Sequence, residues 1–200
     1  MSNQGIHGAT TVGLVCSDGV LLASEKRVSW GRLVASRKAK KVFKLTDEIG
    51  LAFAGFISDM QALSREASAY ANLYELEHDR PISVKAMAKL ISNMLFQHRI
   101  VPYIMQTIVG GIGEEGKALY SLDPLGSLIP DNFVSSGSGA PIAMGVLEAE
   151  YEEDMSLKEG KELALKAIKA GVARDTMSGD GVDMLLISEE GIKEESHPIK

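Results

Sequence analysis

The chain has 200 residues, 45% of them apolar and 24% charged, and a net charge of −6. This is the composition of one globular domain with its own core, and it excludes a disordered chain, a fibre and a disulfide scaffold. The acidic balance argues against a generic nucleic-acid surface, and no apolar run approaches the roughly 20 residues of a membrane span.

Twenty glycines favour tight turns and hairpins. Thr10 to Cys16 is β-rich, Ser17-Asp18-Gly19 is a turn, and Val20 to Ser24 is the return strand. Lys41 to Leu45 and Ile49 to Ala54 read as a second hairpin around Thr46-Asp47-Glu48. After Gly55 the period changes. Met60, Leu63, Ala67, Tyr70 and Tyr74 recur at three- and four-residue steps, which predicts a helix over 57–78. Ser83 is a good N-cap for a second helix, predicted over 83–101 and ended by Pro102. Strands resume over 104–112, 117–123 and 132–136. Two further helices are predicted over 140–152 and 157–174, the last with Ser156 and Glu159 as a capping box. Strands over 182–188 and 192–197 close the chain. Strands and helices come in blocks rather than in βαβ alternation. The expectation is α+β, with helix pairs packed on sheets.

The single cysteine, Cys16, cannot pair within the chain and lies in a β-rich run. It reads as a small core residue, and a reducing, cytoplasmic setting is the expectation. His7, His78, His98 and His197 do not share metal-ligand spacing with each other or with a carboxylate cluster, so no metal is expected. Gly137-Ser138-Gly139 opens a helix after a strand but lacks the third glycine of a dinucleotide loop. No cofactor is expected.

One constellation is specific. Gly8-Ala9-Thr10-Thr11-Val12-Gly13 is followed by Ala23-Ser24-Glu25-Lys26-Arg27, Lys40-Lys41-Val42 and Ala54-Gly55. Ser136-Gly137-Ser138-Gly139 and Arg174-Asp175-Thr176-Met177-Ser178-Gly179 complete it. In order and spacing these six fragments resemble proteasome β subunits of the archaeal type, across nearly the whole chain. The resemblance implies the four-layer αββα sandwich of the N-terminal-nucleophile hydrolases. It divides the chain into a prosegment, residues 1–8, and a single domain, residues 9–200. It implies threonine endopeptidase chemistry on unfolded polypeptides. The implied partners are other β subunits in heptameric rings, capping α subunits, and an ATPase regulator acting through the α ring.

By the same resemblance Lys41 handles charge and protons beside the nucleophile, and Glu25 holds Lys41 charged. Gly55 gives its N–H to the oxyanion, and Asp175 and Ser178, with Ser138, orient the α-amine and a water. Val28, Ala39, Phe43, Phe53 and Ile57 line the pocket for the side chain before the scissile bond. Taken alone, Glu25 and Lys41 read as a surface ion pair.

The nucleophile position, after the prosegment glycine Gly8, is held by Ala9. Alanine has no hydroxyl, so this chain is expected neither to hydrolyse peptides nor to cleave its own Gly8–Ala9 bond. Thr10 is a poor substitute, because alternation along a strand turns it away from Lys41. Glu25, Arg27, Lys41, Gly55, Asp175 and Ser178 are all present. A subunit silent for long is under no chemical pressure to keep them, so they favour an inactivating change in an active parent. The rival reading is a naturally non-catalytic subunit whose work is ring assembly.

Overall fold

The computed structural model describes residues 8–199. Residues 1–7 of the expected prosegment lie outside it. The first hairpin pairs β1 (Thr11–Cys16) with β2 (Gly19–Glu25). β11 (Val182–Ser188) adds to the free edge of β2, and β12 (Gly191–His197) to β11. β10 (Phe133–Ser136) adds to β1. The result is a five-stranded antiparallel sheet in the order β10-β1-β2-β11-β12. The second sheet runs β5 (Val42–Lys44), β6 (Ile49–Gly55), β7 (Met105–Gly113), β8 (Gly116–Leu122) and β9 (Ile129–Pro130).

Three apolar clusters hold the layers. α1 (Ile57–His78) and α2 (Val84–Gln97) bury Met60, Leu63, Met87 and Ile91 against Leu51, Phe53 and Val109 of the second sheet. α3 (Ala140–Glu150) and α4 (Leu157–Val172) bury Ala143, Leu147, Ala164 and Ile168 against Val12, Leu14, Leu21 and Ala23 of the first. Between the sheets lie Val20, Leu22, Ala52, Ile108, Leu119 and Leu185. The order helix–sheet–sheet–helix is the expected four-layer sandwich. The sheets approach closely because glycines face the gap. A Cβ at Gly13 would lie 2.8 Å from Leu119 Cδ1, and one at Gly50 2.7 Å from Leu185 Cδ1.

Helix ends follow the local signals. Ser156 and Glu159 form the reciprocal capping box, and the Ser83 hydroxyl accepts from the Ala86 N–H. The second helix is shorter than its periodicity suggested and ends at Gln97. The last turn tightens there, with His98 N–H donating to the Leu95 carbonyl at 3.1 Å and Arg99 N–H to the Phe96 carbonyl at 3.2 Å, three residues back rather than four. A further hairpin, β3 (Val28–Trp30) with β4 (Leu33–Ser36), has no counterpart in the sequence reading. It is short and mostly exposed, so no buried face repeats along it.

Among the described residues one buried side-chain polar atom has no hydrogen-bond partner, Thr107 Oγ1 on β7. Thr107 is fully buried and pairs across the sheet with Phe53 and Leu122. Valine has the same shape without the hydroxyl. Thr107→Val is therefore expected to leave stability unchanged or raise it by about 1 kcal/mol. Urea denaturation measures this, and a loss of comparable size would show that the hydroxyl is satisfied.

Candidate active site

The candidate residues gather at one end of the sandwich, where β1 begins and β2 and β6 end. Glu25 is the last residue of β2 and is fully buried. Lys41, just before β5, is 2% exposed. The Lys41 ammonium donates to Glu25 Oε1 and to the Arg27 carbonyl at 2.6 Å. The other carboxylate oxygen, Oε2, accepts from Arg27 N–H at 2.6 Å and Gly179 N–H at 2.8 Å. Glu25–Lys41 is thus a buried pair, not the surface ion pair that the two residues alone suggest. Burial pushes the Lys41 ammonium below its ordinary range and the Glu25 carboxyl above its own, and their mutual attraction opposes both shifts. Such a pair persists only with good geometry and satisfied lone pairs. The two backbone N–H groups on Glu25 supply the latter.

Ala9 leads into β1 and is fully buried. Its carbonyl accepts from Gly139 N–H at 3.1 Å, and the Thr10 carbonyl accepts from Glu25 N–H at 3.2 Å. Gly137 has a φ of 96°, and a Cβ there would lie 2.2 Å from the Ala9 carbonyl oxygen and 3.0 Å from Ala54 Cβ. Residue 9 therefore sits beside the end of β6 that carries Gly55. Gly55 has a φ of 143°, and a Cβ on it would lie 2.2 Å from the Ile104 carbonyl oxygen. Glycine is required there on both counts.

Gly8 is walled in as well. A Cβ at position 8 would lie 2.3 Å from Met177 Cβ and 2.4 Å from Ser138 Oγ. Ser138 Oγ donates to Asp175 Oδ2 at 2.5 Å, and Ser178 Oγ donates to the same oxygen at 2.6 Å. Asp175 Oδ1 accepts from Met177 N–H at 3.1 Å. One carboxylate thus gathers two hydroxyls, one of which adjoins the Gly8–Ala9 junction.

The Thr10 hydroxyl bonds to Ser178 Oγ at 2.8 Å, and its side chain is enclosed by Gly139 and Gly171. The Lys41 ammonium is committed to Glu25 and Arg27, so the two groups engage different partners. Of the five pocket candidates, Phe43, Phe53 and Ile57 come together. The Phe43 and Phe53 rings meet edge-to-face at 5.6 Å, and both Phe43 and Ile57 pack against the cluster containing Phe53. Phe53 itself is fully buried. Val28 opens β3, and the Ala39 N–H donates to the Lys26 carbonyl at 3.0 Å. All but Phe53 are half-buried.

A network around Asp180 escaped the sequence reading. Arg27 Nε donates to Asp180 Oδ2 at 2.8 Å and Arg37 to Oδ1 at 2.6 Å. Asp180 adopts a left-handed φ of 69° between two glycines. The Gly179-Asp180-Gly181 run was its only sequence signal. His78 and His98 are exposed at helix ends, and Cys16 is fully buried, with its thiol pushed up to about 12 by desolvation. No group of histidine, cysteine and carboxylate side chains suited to a metal occurs among the described residues. None of the helices there is long and apolar enough to cross a membrane.

Comparison with known proteins decides the family. The proteasome subunit family matches residues 6–187. The chain is 50% identical to proteasome subunit beta 2 of Caldivirga maquilingensis over 94% of each chain. It is 47% identical to proteasome subunit beta 2 of Thermofilum pendens, over 95% of this chain and 93% of that relative. It is also 47% identical to proteasome subunit beta 1 of Hyperthermus butylicus, over 100% and 99%. This chain belongs to the proteasome β-subunit family. The four-layer sandwich is that family's fold, and the six sequence fragments that suggested the family include the residues gathered at this end. In this proteasome β subunit a buried ion pair, a hydroxyl–carboxylate cluster and a glycine turn lie near the alanine at position 9. Clefts also lie elsewhere. One of about 810 Å³, between Asp18, Glu114, Lys117, Leu157 and Glu189, is at the far ends of the same strands and holds none of these groups.

Proposed function

We propose that this chain is a β subunit of a proteasome core whose threonine-peptidase site is complete except for its nucleophile. The buried Glu25–Lys41 pair carries this reading. A buried pair is a weak source of stability, so its presence beside position 9 is better accounted for by chemistry. With threonine at position 9 and residues 1–8 removed, the free α-amine, of pKa about 7.7–8, is matched to proton transfer at neutral pH. The threonine hydroxyl attacks the peptide carbonyl while that amine takes its proton. Lys41 stabilises the hydroxyl's developing charge. Gly55 N–H receives the oxyanion, a donor worth roughly 3 kcal/mol. Ser138, Asp175 and Ser178 orient the amine and the water that releases the product.

In this reading the chain assembles with other β subunits in heptameric rings, beneath α rings that admit unfolded polypeptide delivered by an ATPase, in the cytoplasm. Alanine at position 9 cannot attack the Gly8 carbonyl, so residues 1–8 stay attached. Intact mass spectrometry of the assembled particle is expected to show the full-length chain. A mass beginning at Ala9 or Thr10, in particles lacking any active β subunit, would overturn the reading. A native particle no larger than a monomer would do the same.

The pocket gives a further expectation. In this reading Val28, Ala39, Phe43 and Ile57 line the pocket, with the fully buried Phe53 packed against Phe43 rather than facing it, and none of the five carries a charge. An unpaired charge buried there costs several kcal/mol, whereas Leu, Tyr or Phe gains about 1.5–3 kcal/mol. In an Ala9→Thr chain, fluorogenic peptides should be cut after apolar residues at least about tenfold faster than after acidic or basic ones. Preference for a charged residue would remove these residues from the pocket. The second reading is a non-catalytic subunit that supports ring assembly, favoured by alanine at position 9 alone.

A further inference from the structure

Two backbone segments build the surroundings of Lys41. The Arg27 N–H and the Gly179 N–H both donate to Glu25 Oε2, and the Arg27 carbonyl accepts from the Lys41 ammonium. The residues that carry these groups are fastened together by side chains. Arg27 Nε donates to Asp180 Oδ2 at 2.8 Å, and a second guanidinium nitrogen donates to the Thr176 carbonyl at 3.0 Å. The Arg27 guanidinium lies against the loop so closely that a Cβ at Gly179 would be 2.3 Å from it.

We propose that Asp180 is a positioning residue that, by clamping Arg27, fixes the acceptors around Lys41. The Asp180 side chain is 9% exposed, against 67% for Arg37, whose guanidinium occupies its other oxygen. The left-handed turn at residue 180 aims its carboxylate back at Arg27 while residue 179 keeps its N–H on Glu25. Its negative charge has a second effect. Arg27 is a cation close enough to Lys41 to disfavour its protonation, while Glu25 and Asp175 favour it. Asp180 offsets the Arg27 charge. Loss of Asp180 therefore acts on Lys41 twice, by loosening its cage and by leaving Arg27 uncompensated. The first effect exposes the amine to reagent, and the second favours its neutral form.

This inference rests on Lys41 belonging to the site, but its test needs no turnover. Its failure is therefore distinguishable from a failure of position 9 to restore cleavage. The full chain, with Ala9 in place, is labelled with acetic anhydride across a pH series, and each lysine is quantified by peptide mass spectrometry. In Asp180→Ala, Lys41 should label about tenfold faster near neutral pH, as expected for a fall of one unit in its apparent pKa. Lys117, Lys161 and Lys166, on other parts of the surface, should keep their parental rates and pH profiles. Faster labelling of all four lysines would mark a loosened fold. Asp180→Asn, which keeps the shape and one acceptor but removes the charge, then decides. A selective change in the Lys41 profile in that variant supports the clamp. A Lys41 profile unchanged in Asp180→Asn, or in a folded Asp180→Ala, overturns it.

Discussion

Ala9→Thr is expected to turn an inert chain into a peptidase, with a rate gain on the order of 10⁶ over the parent, the size of effect seen when a nucleophile is deleted from a hydrolase. The gain is large because every other element of the proposed site is present and held. Lys41 and Glu25 are paired and buried, Ser138 and Ser178 converge on one oxygen of Asp175, and Gly55 holds a φ of 143° that favours glycine. Gly8 is already wedged between Met177 and Ser138, so the Gly8–Ala9 bond that the proposed maturation would cut is held in place. The reverted chain should therefore shorten by eight residues and hydrolyse fluorogenic peptides, both measured on particles assembled with α subunits. Assembly without cleavage would establish the structural-subunit reading instead. Thr10 gives an internal control. Its hydroxyl is bound to Ser178 and its side chain is enclosed by Gly139 and Gly171, so the parent chain should have no activity for Thr10→Val to remove.

Much of this was legible in the sequence, because its strongest signals are local. The helix beginning at Ile57 shows in the spacing of Met60, Leu63 and Ala67, all of which face the core. The capping box of α4 shows in Ser156 and Glu159. The pairing of β2 with β11 joins segments about 160 residues apart, and no local pattern specifies it. The family resemblance supplied the order of the four layers and not this pairing. The same division holds at the site. Glu25 and Lys41 alone suggest a solvated pair, and only the fold shows that burial removes water from both. The β3–β4 hairpin left no periodic trace because Trp30 and Leu33, its cross-strand pair, are 71% and 67% exposed. Asp180 was hidden for a different reason. A Gly-Asp-Gly turn is ordinary chemistry until the fold brings Arg27 and Arg37 to the same carboxylate.

Lys41→Met should be the most damaging single change to the folded chain. Methionine approximates the lysine stem and leaves Glu25 fully buried without its ion-pair partner, with only the more distant Arg27 cation opposing its charge. Removing one member of a buried pair typically costs about 3–5 kcal/mol, and denaturant unfolding at neutral pH should show a loss of that order. The pH dependence identifies the cause. Burial already raises the Glu25 carboxyl above its ordinary range, and Lys41 is the largest influence opposing that rise. Without Lys41 the folded-state value rises further. An acid whose folded pKa lies above its unfolded one contributes stability that is present below the unfolded value and is lost as pH rises through the folded value. The deficit of Lys41→Met relative to the parent should therefore be smallest near and below pH 4.5, the ordinary value for this carboxyl, and grow toward neutrality. Adding Glu25→Gln removes the stranded charge and should recover part of the loss at neutral pH while flattening its pH dependence. Activity separates the two roles of the residue. In an Ala9→Thr chain, Lys41→Met with Glu25→Gln should fold and assemble, yet neither process its first eight residues nor cleave peptide, because the cation beside the nucleophile is gone. A Lys41→Met chain with parental stability at every pH would mean that Glu25 is not a buried charge. Cleavage by the reverted double variant would mean that Lys41 is structural alone.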